Sequence, residues 1–460
     1  MEGVWMRESF FADLLAQIAD RGRALFPGSR RVPLLGHQPD IRDLCNALLS
    51  RRGEASGVAL ADQILNIWSQ SDSERKKRFL LDLVADFGPS LPQFEAAIAT
   101  WKEQRSEATL RAVHAAAEPR RQELIRRLNL APGGTRRLVS MREEIFAHRK
   151  EHPELDILDA DFVHLFSSWF NRGFLVLRRI DWSTSANILE KIIRYEAVHA
   201  IDDWTELRRR IEPEDRRLFA FFHPQMTDEP LIFVEVALTR DIPDSIAPLL
   251  APDRQAISTA EADTAVFYSI SNCQEGLRGV SFGNFLIKQV VEDLRRELPN
   301  LRTFVTLSPV PGFAKWLDRQ LGTAPAWLTP ADIEALDILR RGGGITNDQE
   351  RGHLAVTLDG AAAQYFLMEK NNHQKPIDPV ARFHLGNGAR LERLNPFGDI
   401  SANGIRQSYG LMVNYLYDLK SIEENHEAFA EAGEVAASST VRNKLRPTTA
   451  ERKDSKKIVA

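Results

Sequence analysis

Apolar residues in the first third of the chain recur at the three- and four-residue spacing that is typical of amphipathic helices. One series runs from Phe79 to Phe87 and stops at a Gly-Pro pair, and another runs from Glu118 to Leu130 before a Pro-Gly-Gly segment. A charged helix is predicted from Arg136 to Glu151, and strand-like runs are nearly absent. The pattern therefore predicts an all-α bundle over residues 1–155, which we interpret as an assembly domain.

Beyond about residue 155, short apolar runs alternate with amphipathic segments, as strands and helices do within one domain. Strands are predicted at 174–177, 231–238, 265–271 and 301–307, and helices at 188–199 and 282–297. The sequence thus predicts an α+β chain whose second domain, with both strands and helices, covers residues 156–427. Residues 428–460 are small and polar, so we expect a disordered tail.

Composition narrows the classes of partner. The 460 residues are 43% hydrophobic and 27% charged, with a formal net charge of -4. This small charge argues against a nucleic-acid partner, which would need a basic excess. Cys45 and Cys273 are the only cysteines, which indicates a reducing compartment. Since no apolar run could span a bilayer and the first residues lack a secretory pattern, we expect a cytoplasmic protein without a membrane partner.

A glycine-containing turn lies between the predicted strand 265–271 and the helix that follows it. The turn carries the run Arg278, Gly279, Val280, Ser281, Phe282, Gly283 and Asn284. A helix that begins at such a turn presents free backbone N–H groups and the positive end of its dipole, which suits a phosphate. The turn looks like the pyrophosphate loop of the acetyltransferase-type (GNAT) fold, which binds the diphosphate of coenzyme A. A tight turn that binds nothing is the alternative.

Two further segments hold one polar side chain each in a rigid frame. Ser308 precedes Pro309 and Pro311 at the end of a predicted strand, and the two prolines favour a stiff extended turn. His384 lies between apolar residues just ahead of an Asn-Gly turn. A capping serine and a satisfied core histidine are the ordinary alternatives, and His223 is a competing histidine that we interpret as part of a turn.

These segments together resemble the malonyl-CoA decarboxylase family over most of residues 165–420, in the family order. The matching stretches include FYSISNCQEGLRGVSFGNFLIK, LSPVPGFAKWL and FHLGNGARLERLN. The resemblance implies an N-terminal all-α domain used in oligomer assembly, a GNAT-like α/β catalytic domain and a homotetramer. It also implies that Ser308 and His384 are the catalytic residues and that Arg278 to Asn284 form the acyl-CoA-binding loop.

The implied reaction is that of a carboxy-lyase, which converts malonyl-CoA to acetyl-CoA and CO₂. The thioester carbonyl is the electron sink, so we expect neither a cofactor nor a metal. Loss of CO₂ leaves an enolate, and His384 suits its protonation because the ordinary histidine pKa lies near 7. Ser308 would be a proton acceptor, as the family is usually described, or would orient the carboxylate or the histidine by a hydrogen bond.

Two other functions remain open at this stage. A GNAT-type acyltransferase would need a base for its acceptor amine, and Glu235 in the strand 231–238 is a candidate. A non-catalytic CoA-binding or scaffold protein would suit the charged helical region. Release of CO₂ from malonyl-CoA without an acceptor distinguishes the lyase from both.

Overall fold

The computed structural model describes residues 40–50, 53–280, 282, 286–323, 325–340 and 348–446. The chain divides into two compact units. The first unit consists of Met1–Val176, Phe222–Leu231 and Gln274–Gly283, and the second of Leu177–Phe221, Ile232–Cys273 and Asn284–Ala460. Because each unit combines separate stretches of the chain, the domain limits at residues 155 and 427 stay a prediction.

The first unit is helical. Its helices are α1 Ile41–Leu49, α2 Glu54–Gln70, α3 Ser73–Asp86, α4 Leu91–Glu103, α5 Glu107–Ala117, α6 Arg120–Leu128, α7 Gly134–His148 and α8 Leu155–Trp169. Asp72 caps α3 by accepting from the backbone N–H of Arg75 at 2.8 Å, and the helix ends just before the Gly-Pro pair, as predicted. Buried apolar side chains such as Leu80, Leu124 and Phe162 form its core.

Helices α4 and α5 differ from their neighbours because neither buries a residue. The two helices pack on each other, and Ser106 begins α5 with a reciprocal capping box to Thr109. Leu91 and Leu110 are 64% and 54% exposed. The hairpin therefore presents apolar side chains that the described residues do not cover.

Eight strands form one mixed sheet in the order β1-β2-β3-β4-β5-β8-β6, with β7 paired to β8. The strands are β1 Val176–Ile180, β2 Arg216–His223, β3 Met226–Thr239, β4 Thr264–Asn272, β5 Thr303–Thr306, β6 Ser308–Pro309, β7 Arg390–Asn395 and β8 Met412–Leu416. The helices of the second unit are α9 Ala186–Tyr195, α10 Trp204–Ile211, α11 Ala247–Leu250, α12 Leu286–Glu297, α13 Phe313–Thr323, α14 Pro330–Arg340, α15 Asp348–Leu367, α16 Pro379–Gly386, α17 Ala402–Ser408, α18 Ile422–Ala432 and α19 Ser439–Arg442. The predicted α+β class, with helices first and a mixed sheet afterwards, is confirmed.

The centre of the sheet opens between β4 and β5. These strands are parallel and pair up to Phe267 and Thr306, after which β4 continues to Asn272 without β5. Between β3 and β4 the register shifts at Glu235, so that Glu235 pairs with Ser269 while the next residue pairs with Phe267. Glu235 and Ser269 therefore share one face of the sheet, and Phe267 and Thr306 share the other.

The expectation of a disordered tail from residue 428 is wrong as far as Arg446. Helix α18 extends to Ala432, and the backbone near Ala437 pairs with Leu391 of β7. Val441 in α19 is fully buried. Apolar burial and backbone pairing thus order a segment whose residues are mostly small or polar, while residues 447–460 lie outside the described residues.

In the described ranges, no helix combines the length and the apolar content that crossing a bilayer requires.

Candidate active site

Ser308 lies on the two-residue strand β6, directly after β5. It pairs with Val413 of β8, and its residue is 6% exposed. Gly312 then adopts a φ of +92°, which glycine tolerates, and the chain enters α13 at Phe313. The sequence motif of serine and prolines thus fixes Ser308 between a strand and a helix, as predicted.

His384 lies in the last turn of the short helix α16. Asp378 caps this helix by accepting from the N–H of Ala381 at 2.7 Å, and Pro379 occupies the first helical position. The helix is followed by Gly388, where φ is +81° and a Cβ would collide with the carbonyl oxygen of Ile422. Only glycine fits this turn, which follows the end of the helix that carries His384.

The structure brings the two predicted residues together although they are 76 positions apart. Ser308 Oγ lies 3.2 Å from His384 Nε2, and Ser308 Oγ donates a hydrogen bond to Thr306 Oγ1 at 2.8 Å. The other ring nitrogen, Nδ1, lies 2.8 Å from the hydroxyl oxygen of Tyr417. The imidazole also stacks on Tyr415 with 4.6 Å between ring centroids. The result is a buried chain of polar groups that runs from Tyr417 to Thr306.

Burial changes the chemistry of the imidazole. His384 is 3% exposed, and burial lowers its pKa to about 3. Burial is the cause of this shift, and no charged side chain among the described residues contributes to it. The ordinary pKa expected from the sequence therefore does not hold, and the ring is neutral at pH 7.

The described part of the predicted coenzyme loop lies on helix α7 of the first unit. Arg142 donates to the carbonyl oxygens of Gly276 and Arg278 at 2.9 and 2.8 Å, and a Cβ on Gly276 would collide with the carbonyl oxygen of Val139. The Arg278 side chain is 59% exposed, and its guanidinium lies 4.3 Å from the Phe146 ring centroid.

Of the six loop positions after Arg278, the structure describes three. Gly279 has a φ of +79°, Val280 is buried and Phe282 packs against the helical core. Ser281, Gly283 and Asn284 lie outside the described residues. The binding role of Arg278 to Asn284 stays a prediction.

Glu235, the candidate base of an acyltransferase, is fully buried. It lies 3.3 Å from the guanidinium of Arg210, and burial raises its pKa to about 8. Arg210, Glu196 and His199 line a cavity of about 590 Å³ in the second unit. The carboxyl of Glu235 has no exposed surface, so its position does not suit proton transfer from an acceptor molecule.

His223, the competing histidine, has a structural role. Its Nε2 lies 3.2 Å from the carbonyl oxygen of Trp169, and its Nδ1 accepts from the N–H of Gln225 at 3.1 Å. The residue ends β2 just before the hairpin turn, which fits its interpretation as part of a turn.

Sequence reasoning missed Thr306, Tyr415 and Tyr417. All three are at most 2% exposed, and each contacts Ser308 or His384. Tyr415 and Tyr417 alternate along the segment 411–417 (LMVNYLY), which is one of the stretches that resemble the family but to which no role was assigned. Apart from that resemblance, the signal in the sequence was two tyrosine hydroxyls and Asn414 in a mostly apolar segment.

Comparison with known proteins gives consistent matches to one family. The model of the malonyl-CoA decarboxylase C-terminal domain matches residues 173–455, and that of the N-terminal domain matches residues 87–170. The mitochondrial malonyl-CoA decarboxylase of Anser anser anser is 34% identical over 400 residues, which cover 80% of this chain and 79% of the relative.

Two solved bacterial structures are also similar. Malonyl-CoA decarboxylase from Rhodopseudomonas palustris is 57% identical, with a TM-score of 0.84 over 88% of this chain and 98% of the other. The enzyme from Agrobacterium vitis is 55% identical, with a TM-score of 0.85 over 89% of this chain and 100% of the other. The matched domain models and the identity over most of the length show that this chain belongs to the malonyl-CoA decarboxylase family.

Proposed function

We propose that this chain, a carboxy-lyase of the malonyl-CoA decarboxylase family, converts malonyl-CoA to acetyl-CoA and CO₂ at the Ser308–His384 pair. The observation that carries the proposal is the 3.2 Å contact between Ser308 Oγ and His384 Nε2 in a buried site. Two conformationally restricted turns hold these residues, and both turns belong to the motifs that the family resemblance singles out. The catalytic roles of the two residues are the proposed part.

Cleavage of the bond to CO₂ moves its electron pair onto the thioester carbonyl, which leaves an enolate. No charged side chain among the described residues contributes to the pKa shift of His384, so we place the substrate carboxylate in surroundings that these residues leave uncharged. An unpaired carboxylate in an apolar site is less stabilised than in water, whereas the transition state spreads the same charge over the departing CO₂ and the thioester. This environment favours loss of CO₂ over retention of the carboxylate.

The enolate oxygen needs hydrogen-bond donors. Beyond Phe267, strand β4 is not paired with β5, and its backbone continues to Asn272 along the opening of the sheet. We assign backbone N–H groups of this segment as donors to the thioester oxygen, each of which contributes about 3–4 kcal/mol in comparable sites.

His384 supplies the proton that converts the enolate to acetyl-CoA. Because burial keeps the ring neutral, the donor is a neutral imidazole rather than an imidazolium. Such a ring donates readily only to a strong base, and an enolate carbon is a much stronger base than a carboxylate. A neutral donor thus protonates the intermediate but leaves the substrate carboxylate ionised.

Three further assignments follow from the family. Arg278 to Asn284 bind the coenzyme diphosphate, and the exposed guanidinium of Arg278 is a suitable phosphate contact. The chain forms a homotetramer, for which the uncovered apolar side chains of the α4–α5 hairpin offer an interface. The bacterial relatives and the two buried thiols support a location in the cytoplasm.

The test measures CO₂ released from malonyl-CoA by purified protein without an acceptor amine. His384→Asn and Ser308→Ala should both lower kcat by about 100-fold or more while KM changes little, because each removes a group of the reacting centre. His223→Asn and Ser408→Ala are matched controls, since both remove hydrogen-bonded side chains elsewhere. Near-normal turnover in both site variants would exclude this pair as the active site.

A further inference from the structure

We propose that Thr306 is a positioning residue that fixes the single imidazole proton of His384 on Nε2. The inference rests on the proposed function of the Ser308–His384 pair and concerns the direction in which its hydrogen bonds run. Thr306 ends β5 and is fully buried, two residues before Ser308.

The direction follows from a count of protons. A serine hydroxyl has one proton, and the geometry assigns that of Ser308 to the bond with Thr306 Oγ1 at 2.8 Å. Ser308 can therefore only accept from His384, which requires a proton on Nε2 at 3.2 Å. A neutral imidazole has one N–H, so Nδ1 is an acceptor and the hydroxyl of Tyr417 donates to it at 2.8 Å.

Two hydrogen bonds from a neighbouring strand hold Thr306, which is the last group in the hydrogen-bonded series that begins at Tyr417. The backbone N–H of Tyr415 donates to Thr306 Oγ1 at 3.1 Å, and the side-chain amide of Asn414 donates to the Thr306 carbonyl oxygen at 2.8 Å. Both donors lie on β8, the strand next to β5 in the sheet. The threonine oxygen is thus fixed where the Ser308 hydroxyl can reach it.

The direction matters for proton transfer. The enolate carbon takes the Nε2 proton of His384, so that an N–H bond breaks and a C–H bond forms, while the Ser308 hydroxyl stays directed at Thr306. The Tyr417 hydroxyl keeps its proton and donates to Nδ1, which stabilises the ring as Nε2 loses its proton, and a proton from solvent then returns to Nε2. Without an acceptor at residue 306, the Ser308 hydroxyl donates to Nε2 instead, and the ring proton moves to Nδ1, where it cannot reach the enolate.

The first arm of the test compares Thr306→Val with Thr306→Ser. The valine removes the acceptor at nearly constant volume, so kcat should fall by about 100-fold while KM stays within about threefold. The serine keeps the oxygen and should restore kcat to within about fivefold of the unsubstituted protein. Thr357→Val is the matched control, because Thr357 is fully buried and donates to Asp332 at 2.8 Å, apart from this chain of groups.

The second arm reads the tautomer directly. Solid-state ¹⁵N NMR of sedimented, histidine-labelled protein, with the signal assigned by its loss in His384→Asn, should show the proton on Nε2. Thr306→Val should move it to Nδ1. If that variant does not fold, the unsubstituted protein still decides, because a proton on Nδ1 would overturn the inference.

Other outcomes distinguish a failure of the role proposed for Thr306 from a failure of the active site proposed at Ser308 and His384. Unchanged kcat in Thr306→Val, or an equal loss of kcat in Thr357→Val, would refute the positioning role of Thr306. The proposed active site would still stand in that case, provided that Ser308→Ala and His384→Asn are inactive. Full turnover in these last two variants would remove the proposed site itself.

Discussion

The neutral state of His384 should make the stability of the protein depend on pH in a defined way. Burial lowers the pKa of this imidazole from 6.5 to about 3 in the folded protein, whereas the unfolded chain keeps the ordinary value. The unfolded state therefore binds a proton below pH 6.5 that the folded state does not. The contribution of His384 to stability is complete above pH 6.5 and is lost progressively as the pH falls towards 3.

The size of the effect follows from linkage. Each pH unit well below about 6.5 costs about 1.36 kcal/mol, so lowering the pH from about 7.5 to about 5.0 should cost about 2 kcal/mol through this residue alone. His384→Asn removes the titrating ring. It also removes the hydrogen bonds to Ser308 and Tyr417, but that loss is the same at both pH values.

Urea unfolding of both proteins at the two pH values measures the effect. The penalty of His384→Asn should be about 2 kcal/mol smaller at about pH 5.0 than at about pH 7.5, since the unsubstituted protein has by then lost the linked contribution. His373→Asn, which removes an exposed ring, is the matched control. An equal penalty at both pH values would show that the folded protein does not exclude the proton and that His384 is not a neutral donor.

Three further changes test the frame of the site. Tyr417→Phe removes the hydroxyl at Nδ1 and should lower kcat by about 10-fold or more with KM nearly unchanged, as steady-state kinetics would show. Gly388→Ala forces a positive φ on alanine and a clash with the Ile422 carbonyl, so thermal unfolding should show a loss of at least about 2 kcal/mol; an unchanged Tm would contradict the close approach. Arg446→Met leaves the buried carboxyl of Asp332 without its guanidinium partner and should cost about 3 kcal/mol, whereas a neutral effect in the same assay would mean that the segment after α19 is dispensable.

The turns that follow Ser308 and His384 could be predicted from the sequence because each turn depends on a few neighbouring residues. The prolines after Ser308 and the glycine after His384 restrict the backbone wherever they occur, and the structure has both turns where the sequence indicates them. The meeting of the two side chains depends on a spatial arrangement that the sequence pattern does not contain. The family resemblance supplied that pairing.

Thr306 and Tyr417 could not be predicted because their roles depend on strand order. Tyr417 approaches His384 only because β8 lies between β5 and β6, and the sequence pattern does not specify that order. Helix α9 also ends at Tyr195, four residues earlier than predicted. There the carboxylate of Glu196 accepts from the N–H groups of Val198 and His199 at 2.9 and 2.8 Å, which turns the chain out of the helix.

The late position of β8 in the chain has a consequence for biosynthesis. The ribosome completes β5 well before β8, since Asn414 follows Thr306 by 108 residues. During that interval one edge of β5 has no partner strand, and an unpaired edge is a template for association with other nascent chains. A chaperone that shields this edge should therefore raise the yield of active protein, and a message truncated before the codon for Met412 should produce an insoluble, inactive fragment.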